Sequence, residues 1–200
     1  MTERELESLL ELLHDANPAA RHTAIHALGA LKNAQAMTAL KAVIQNDSDI
    51  SCRKAALYWL RETADQPIFN DALRYALDDP SLRMEAAWNI CKSGKPNPEI
   101  VEALIRALDA SQAIELAMIM GALGTLQDPC AFEALVVYLK STNSYERGAA
   151  AQELGNLGDK RAIEPLMALL DDQAVVWQED HGPERSVAEI AQAALHRLNP

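Results

Sequence analysis

The chain has 200 residues, a formal net charge of −11 and 49% hydrophobic residues, but only 4% aromatic ones. Its core must therefore rely on alanine, leucine and isoleucine, which suits closely approaching helices better than a β-sandwich. An acidic surface repels phosphate backbones and anionic lipid headgroups, so neither nucleic-acid binding nor membrane docking is expected.

The first fifteen residues are charged from Glu3 onward and lack the apolar core of a signal peptide. No stretch approaches the roughly 20 apolar residues of a membrane span. Three cysteines without a closely spaced pair favour a reducing compartment. We therefore expect a cytoplasmic protein whose residues 1–15 form an N-terminal cap helix.

The rest of the chain repeats about every 31 residues. Each of five units has a leucine or isoleucine, here called the anchor, with alanine or isoleucine four residues before it. The anchors are Leu28, Leu60, Ile90, Leu123 and Leu154. Four residues make about one helical turn, so each segment is predicted to be a helix with a narrow packing edge.

A second helical pattern follows each anchor segment, with apolar residues three and four positions apart, as in Met37, Leu40 and Ile44. The fifth unit repeats this pattern at Ile163, Leu166 and Leu170. Short turn signals separate the helices. We predict an all-α fold, a right-handed α-solenoid of about five helical pairs that occupies residues 17–172.

Residues 147–172, RGAAAQELGNLGDKRAIEPLMALLDD, resemble a HEAT repeat of the short bacterial kind named after phycobilisome (PBS) lyases. The matching features are Arg147, the alanine-rich first helix, the LGNLGD turn and the AIEPLMALL second helix. The resemblance covers roughly residues 17–198, and the fourth unit departs from it with Leu116 in place of the arginine. It implies one domain over residues 1–200, in a family that hosts lyase subunits, adaptors and scaffolds.

One stretch, WQEDHGPERSV, interrupts the repeat after the fifth unit, because the next anchor comes about ten residues late. We predict an inserted surface loop at 173–185 and a C-terminal cap helix at 186–198, with Ser186 and Glu189 as a capping box. We expect Trp177 to cover the last repeat. A binding role for the loop stays open, with candidate residues Trp177, Glu179, Asp180 and His181.

The residues that could carry chemistry do not converge. Cys52, Cys91 and Cys130 occupy three different repeat positions. His22 and His26 are four residues apart, but a zinc site would need a third ligand. The His-Glu pairs that the resemblance associates with HEAT-like iron enzymes are absent from the sequence. We expect no metal, no cofactor and no catalytic residue.

The paired acids Asp78–Asp79 and Asp171–Asp172 fall at the ends of second helices, where aspartate is common in caps and turns. General acid–base catalysis needs two carboxylates that face a cleft, and nothing in the spacing indicates one. The sequence also lacks a glycine-rich phosphate loop and a GxSxG motif.

A binding surface is predicted where the second helices share a register. Glu102, Glu133 and Glu164, the acidic row, recur once per unit. Ile105, Val136 and Met167, the apolar row, follow three residues later on the same helix faces. Asp71 and Arg74 extend the rows towards the N-terminus, and the nearby candidate anchors for a partner are Tyr75, Arg106 and Tyr138. The apolar row could instead pack between neighbouring helices.

We therefore predict a non-catalytic interaction scaffold or adaptor, a monomer or weak homodimer, that holds a basic or amphipathic protein segment in an acidic concave groove. The resemblance implies an alternative, a bilin lyase subunit or chromophore chaperone, although an acidic groove does not suit bilin propionates. It also implies a nucleic-acid module of the HEAT-like glycosylase type, against which the net charge argues.

Overall fold

The computed structural model describes residues 3–63, 65–94, 97–176 and 185–199. The chain divides into two compact units, Met1–Asn89 and Ile90–Pro200. The loop candidates Trp177, Glu179, Asp180 and His181 lie outside the described residues.

Both units consist of helical pairs. The first unit contains α1 (Glu3–Leu12), α2 (Pro18–Leu31), α3 (Ala34–Asn46), α4 (Ile50–Thr63), α5 (Gln66–Asp78) and the start of α6 (Arg83–Ser93). The second unit contains α7 (Pro98–Asp109), α8 (Ala113–Leu126), α9 (Ala131–Val136), α10 (Ser144–Leu157), α11 (Ile163–Met167) and α12 (Val187–Leu198). The first helix of each pair has an even number, and the second helices are α3, α5, α7, α9 and α11. The prediction of an all-α repeat fold is confirmed.

Side-chain caps fix where many of these helices begin. Asn17, Asn33, Asp65, Asn97 and Asn143 each accept a hydrogen bond from a backbone N–H of the first turn. Such caps satisfy donors that have no partner within the helix. Short polar residues thus separate one alanine-rich helix from the next.

The anchors form the core, as predicted. Leu28, Leu60, Leu123 and Leu154 are fully buried, and Ile90 is 1% exposed. The alanine or isoleucine four residues earlier is also buried in every unit. The small residue lets the next helix approach closely while the larger anchor supplies the buried apolar area.

A second packing rule concerns the residues on either side of the anchor. A glycine follows the anchor in α2, α8 and α10, and it faces the residue that precedes the anchor on the next first helix. The three pairs are Gly29 with Trp59, Gly124 with Glu153, and Gly155 with Ala194. A Cβ at Gly155 would lie 2.8 Å from the Cα of Ala194, so this helix contact tolerates no side chain.

Arginines near the start of the first helices bind aspartates near the end of the same repeat. Arg21 donates two hydrogen bonds to Asp47, at 2.8 and 2.7 Å. Arg147 binds Asp172 in the same way, at 2.7 and 3.2 Å, and Arg53 binds Asp79. The positions of Asp79 and Asp172 in the sequence indicate turn or cap roles and do not predict their pairing with the arginines.

The second helices shorten towards the C-terminus. α9 ends at Val136 and continues as a 3₁₀ segment, Val137–Lys140, while Lys160–Ala162 forms a 3₁₀ turn before α11. Two adjacent β-branched residues at 136 and 137 favour this loss of regular helix. Leu170 lies beyond the end of α11 and is 40% exposed, so the periodic pattern does not bury it.

The ends of the predicted insertion pair with each other. Val175–Val176 (β1) and Arg185–Ser186 (β2) form a short antiparallel ladder, with Val176 opposite Arg185. Ser186 then caps α12, and the side chain of Glu189 accepts a hydrogen bond from the Ser186 backbone N–H. The predicted capping box is therefore confirmed.

Candidate functional site

The acidic row is exposed in the second unit. The side chains of Glu102 and Glu133 are each 77% exposed, and Glu164 is also exposed. Glu102 lies on α7, Glu133 on α9 and Glu164 on α11, and α7 packs beside α9. The sequence register therefore corresponds to carboxylates on the solvent side of successive second helices.

The three residues of the apolar row differ in their exposure to solvent. Ile105 and Val136 are half-buried, whereas Met167 is 57% exposed. Val137, one residue after Val136, is 66% exposed and was missed by the sequence reasoning, because the three-residue offset selected its neighbour. Apolar surface beside the acidic row is thus greatest at α9 and α11.

Arginines partly neutralise two of the three carboxylates. Arg106 lies 4.0 Å from Glu102 on the same helix, and Arg161 lies 3.2 Å from Glu133. The Arg161 guanidinium also binds Asp159 at 2.6 Å and stacks on the Phe132 ring at 4.1 Å. These surface pairs are individually weak, so a stronger cationic partner could displace them.

Glu164 differs from the other two carboxylates, because it has no ion pair among the residues that the structure describes. Met167 lies three residues further along α11 and is exposed. The acidic and apolar rows are therefore both most available to a partner at this end of the second unit.

A surface cavity of about 550 Å³ adjoins the rows. Val136, Val137 and Tyr138 line it together with Lys140, Ser141 and Glu146. Burial raises the pKa of the Tyr138 phenol, and the charges of Asp109 and Glu146 raise it further. Val136 and Tyr138, two predicted contact residues, thus share one concave feature with the exposed Val137.

The predicted contact residues of the first unit form ion pairs and hydrogen bonds within that unit. Asp71 lies 2.6 Å from Lys41 and 3.8 Å from Arg74. The hydrogen bond from Lys41 lowers the pKa of the Asp71 carboxyl. The Tyr75 hydroxyl donates a hydrogen bond to the backbone oxygen of Gln45 at 3.0 Å. The Asp71 carboxylate is therefore paired with two cations, whereas Glu164 of the second unit has no ion pair among the described residues.

An aromatic cluster on the first helices of the first unit was not predicted as a site. The Arg61 guanidinium lies between the rings of Tyr58 and Trp88, at 5.0 and 4.9 Å from their centroids. Trp59 donates a hydrogen bond to Nδ1 of His26 at 3.1 Å. That bond occupies the lone pair of the His26 Nδ1, which disfavours metal ligation by this nitrogen.

The remaining reactive residues are dispersed. Cys52 is buried and Cys91 half-buried, while Cys130 is exposed. Burial, together with the charges of Asp47 and Asp49, raises the pKa of the Cys52 thiol to about 11, so this thiol is a poor nucleophile. Within the described ranges, no three His, Cys, Asp or Glu side chains are grouped so that they could hold a metal ion. None of the described helices is long and apolar enough to cross a membrane.

Comparison with known proteins supports the repeat architecture. A protein from Pseudanabaena tenuis (strain PCC 7409), described as an uncharacterized phycocyanin operon protein Z, is 25% identical over 96% of this chain and 79% of its own length. A computationally designed armadillo repeat protein has a TM-score of 0.58 at 17% identity, over 97% of this chain and 100% of the designed one. Human deoxyhypusine hydroxylase has a TM-score of 0.51 at 25% identity, over 98% of this chain and 74% of the human one.

The family model for HEAT repeats matches residues 3–62 and 101–179, which together make up more than half of the chain. These segments contain the caps at Asn17, Asn33 and Asn143, four of the five buried anchors, and the pairs of Arg21 with Asp47 and Arg147 with Asp172. The α-solenoid class that the repeats predict is thereby established. The chain belongs to the HEAT-repeat family.

Proposed function

We propose that the protein is a non-catalytic scaffold or adaptor that binds a basic or amphipathic segment of another protein. The observation that carries the proposal is the exposed acidic row Glu102, Glu133 and Glu164. Exposed apolar residues follow two of these glutamates, Val137 four positions after Glu133 and Met167 three positions after Glu164. Membership in the HEAT-repeat family supports a protein-binding role in general.

The negative charge of the acidic row indicates the kind of partner that it would bind. Carboxylates on successive helices attract lysine or arginine side chains, and they repel acidic segments. Met167 and Val137 offer apolar contact area beside those charges. An amphipathic helix with one basic and one apolar edge satisfies both requirements. Asp71, Arg74, Tyr75, Ile105, Arg106, Val136 and Tyr138 complete the proposed contact set.

The test is capture of a partner from cell lysate by the wild type and by the triple variant Glu102→Lys, Glu133→Lys, Glu164→Lys. We expect the captured protein to be lost in this variant. A matched control is Glu3→Lys, Glu7→Lys, Glu11→Lys, which changes three exposed glutamates of α1 and alters the net charge equally. Circular dichroism establishes that both variants are folded.

A defined probe makes the same test independent of the lysate. A synthetic leucine–lysine amphipathic helix should bind the wild type and the α1 variant, and it should bind the acidic-row variant at least about tenfold more weakly. A leucine–glutamate helix of the same pattern should not bind. Equal weakening in the two variants would show that net charge alone governs the interaction, and equal binding to all three proteins would show that the acidic row does not contribute.

A second candidate is a role in bilin attachment, as a bilin lyase subunit or chromophore chaperone. The observation that favours it is the 25% identity to a phycocyanin operon protein. Mixing the protein with a free bilin and recording the visible spectrum tests it. A saturable spectral shift would favour this role, and an unchanged spectrum would leave the scaffold function.

A further inference from the structure

A second cavity, of about 230 Å³, lies on the first helices of the second unit and is separate from the acidic row. Ile114, Ala117 and Met118 of α8 form one wall, and Tyr145 and Ala149 of α10 form another. Its volume is below the roughly 300–1,000 Å³ of typical small-molecule sites. The space therefore suits a single side chain better than a metabolite.

A buried acidic residue lines the cavity. Glu153 on α10 lines it and is only 6% exposed. One carboxylate oxygen accepts a hydrogen bond from Gln152 at 2.9 Å, and the other accepts one from Asn156 at 2.8 Å. Each oxygen accepts one hydrogen bond and so keeps a second lone pair, and both donors are neutral amides.

No cation compensates Glu153 at contact distance within the described residues. Arg197 on α12 acts on it electrostatically without forming an ion pair. Burial raises the pKa of the Glu153 carboxyl. A buried carboxylate is costly unless it is paired, and here the hydrogen bonds compensate that cost only in part.

The repeat itself does not require this carboxylate. Glu153 directly precedes the anchor, and the same position holds Trp59 in α4, Asn89 in α6 and Ala194 in α12. Room for Glu153 exists because Gly124 on α8 has no side chain there. The pairing of a glycine on one helix with a carboxylate on the next is thus particular to this part of the chain.

From this geometry we infer that the Glu153 cavity receives one long cationic side chain, a lysine or arginine, from a protein partner. The apolar walls contact the methylene stem, and the carboxylate at the base binds the ammonium or guanidinium head. Such side chains combine an apolar stem with a charged tip. Hydrogen bonds to a charged group are stronger than neutral ones, so the carboxylate favours a cation over a neutral occupant.

The test uses analogues of the side chains as probes. n-Butylammonium represents lysine, n-propylguanidinium represents arginine, and n-butanol is the neutral control of similar size. Methyl-resolved NMR follows Ile114, Met118 and Ile190, whose side chains line the cavity. We expect saturable shifts of these methyls with at least one cation, and binding of n-butanol about tenfold or more weaker.

Two variants test whether the cations bind in the cavity. Glu153→Gln keeps the shape of the side chain, and it should weaken cation binding about tenfold or more. Gly121→Leu should block binding by filling the cavity, since a Cβ at Gly121 meets no atom within 4 Å. Glu7→Gln, an exposed change on α1, should have no effect. Thermal unfolding of each variant shows whether it is folded.

The inference is overturned if n-butanol binds as tightly as the cations, if Glu153→Gln binds them unchanged, or if the cavity methyls do not shift. It does not depend on the acidic row. If the acidic-row variant no longer binds the amphipathic helix, that result concerns the proposed function alone. If Glu153→Gln no longer binds n-butylammonium, that result concerns only this cavity.

Discussion

At the scale of single residues, the arginine–aspartate pairs are the feature that most distinguishes this chain from a simple array of alanine-rich helices. The Arg21 and Asp47 side chains are 10% and 5% exposed, and the other two pairs are only slightly more open. Arg147 also donates a hydrogen bond to the backbone oxygen of Ser141 at 2.8 Å. Each guanidinium therefore satisfies backbone groups as well as a carboxylate, which is the condition under which a buried pair stabilises a fold.

The pair in the fifth repeat gives the first prediction. Asp172→Asn removes the carboxylate that accepts two hydrogen bonds from Arg147, and we expect it to lower the free energy of unfolding by about 1–2 kcal/mol. Asp171→Asn alters the exposed neighbour and should change it by less than about 0.5 kcal/mol. Urea titrations followed by circular dichroism measure both values. Equal effects would mean that the Arg147 contact contributes nothing specific.

Acid sensitivity follows from Asp79. Burial acts to raise the pKa of this carboxyl, but hydrogen bonds from Ser81 and Arg53 outweigh it and hold the pKa at about 2. The unfolded chain has the ordinary value of about 3.9, so the folded state binds this proton less tightly. The resulting stabilisation is complete above about pH 4 and is lost as the pH falls towards about 2.

We therefore expect the free energy of unfolding to fall in that range, with Asp79 contributing roughly 1–2 kcal/mol after allowance for solvent screening. Urea titrations at a series of pH values should show a shallower decline for Asp79→Asn than for the wild type. The exposed Glu7→Gln variant serves as the control. An unchanged slope in Asp79→Asn would contradict the assignment.

At the scale of the helices, two glycines test the contact between neighbouring first helices. Gly155→Ala places a Cβ 2.7 Å from the Cβ of Ala194 and close to the α12 backbone, and we expect it to destabilise the protein by roughly 1–3 kcal/mol. Gly121→Ala meets no atom within 4 Å and should stabilise it by roughly 0.5–1 kcal/mol, because alanine is the better helix former. Thermal and urea unfolding distinguish the opposite signs, and two changes of the same sign would refute this packing rule.

Helix order and core were accessible from the sequence because both depend on local periodicity. The anchors, the caps at Asn17 or Asn143 and the capping box of Ser186 all act within a few residues of the chain. The pairing of Arg147 with Asp172 was not accessible, because the two residues are 25 positions apart and a role in the turn already accounts for Asp172 locally.

The candidate site likewise has some features that the sequence predicts and others that it does not. The register of Glu102, Glu133 and Glu164 predicted exposed carboxylates, because one face of each second helix must meet solvent. The exposure of Val137 depends on the change from α-helix to 3₁₀ helix at the end of α9, and the depth of Glu153 depends on Gly124 in another helix. Neither feature is encoded by the spacing of residues along a single element.

At the scale of the whole molecule, stability should vary along the chain. The described residues of α1 include none that is buried, and its leucines Leu6, Leu9 and Leu10 are only half-buried. α10, in contrast, packs against both α8 and α12 and buries residues along its whole length. A helix with few buried contacts opens locally at little free-energy cost.

We expect amide hydrogens of α1 to exchange about 100-fold or more faster than those of α10, beyond differences in intrinsic rate. Hydrogen–deuterium exchange with peptide-level mass spectrometry measures this. Comparable protection in the two helices would show that α1 is held by interactions other than apolar burial. Deleting residues 1–15 provides the control, because the protection of α10 should then be unchanged.

The arginine–aspartate pairs also bear on how such a chain could change in length over evolution. Each pair that joins residues 25 or 26 positions apart lies within one repeat, from the start of its first helix to the end of its second. A gene duplication or deletion that adds or removes one whole repeat therefore carries both charges with it. Neither charge of such a pair is left unpaired at the new junction, so the arginine–aspartate pairs themselves do not restrict the number of repeats.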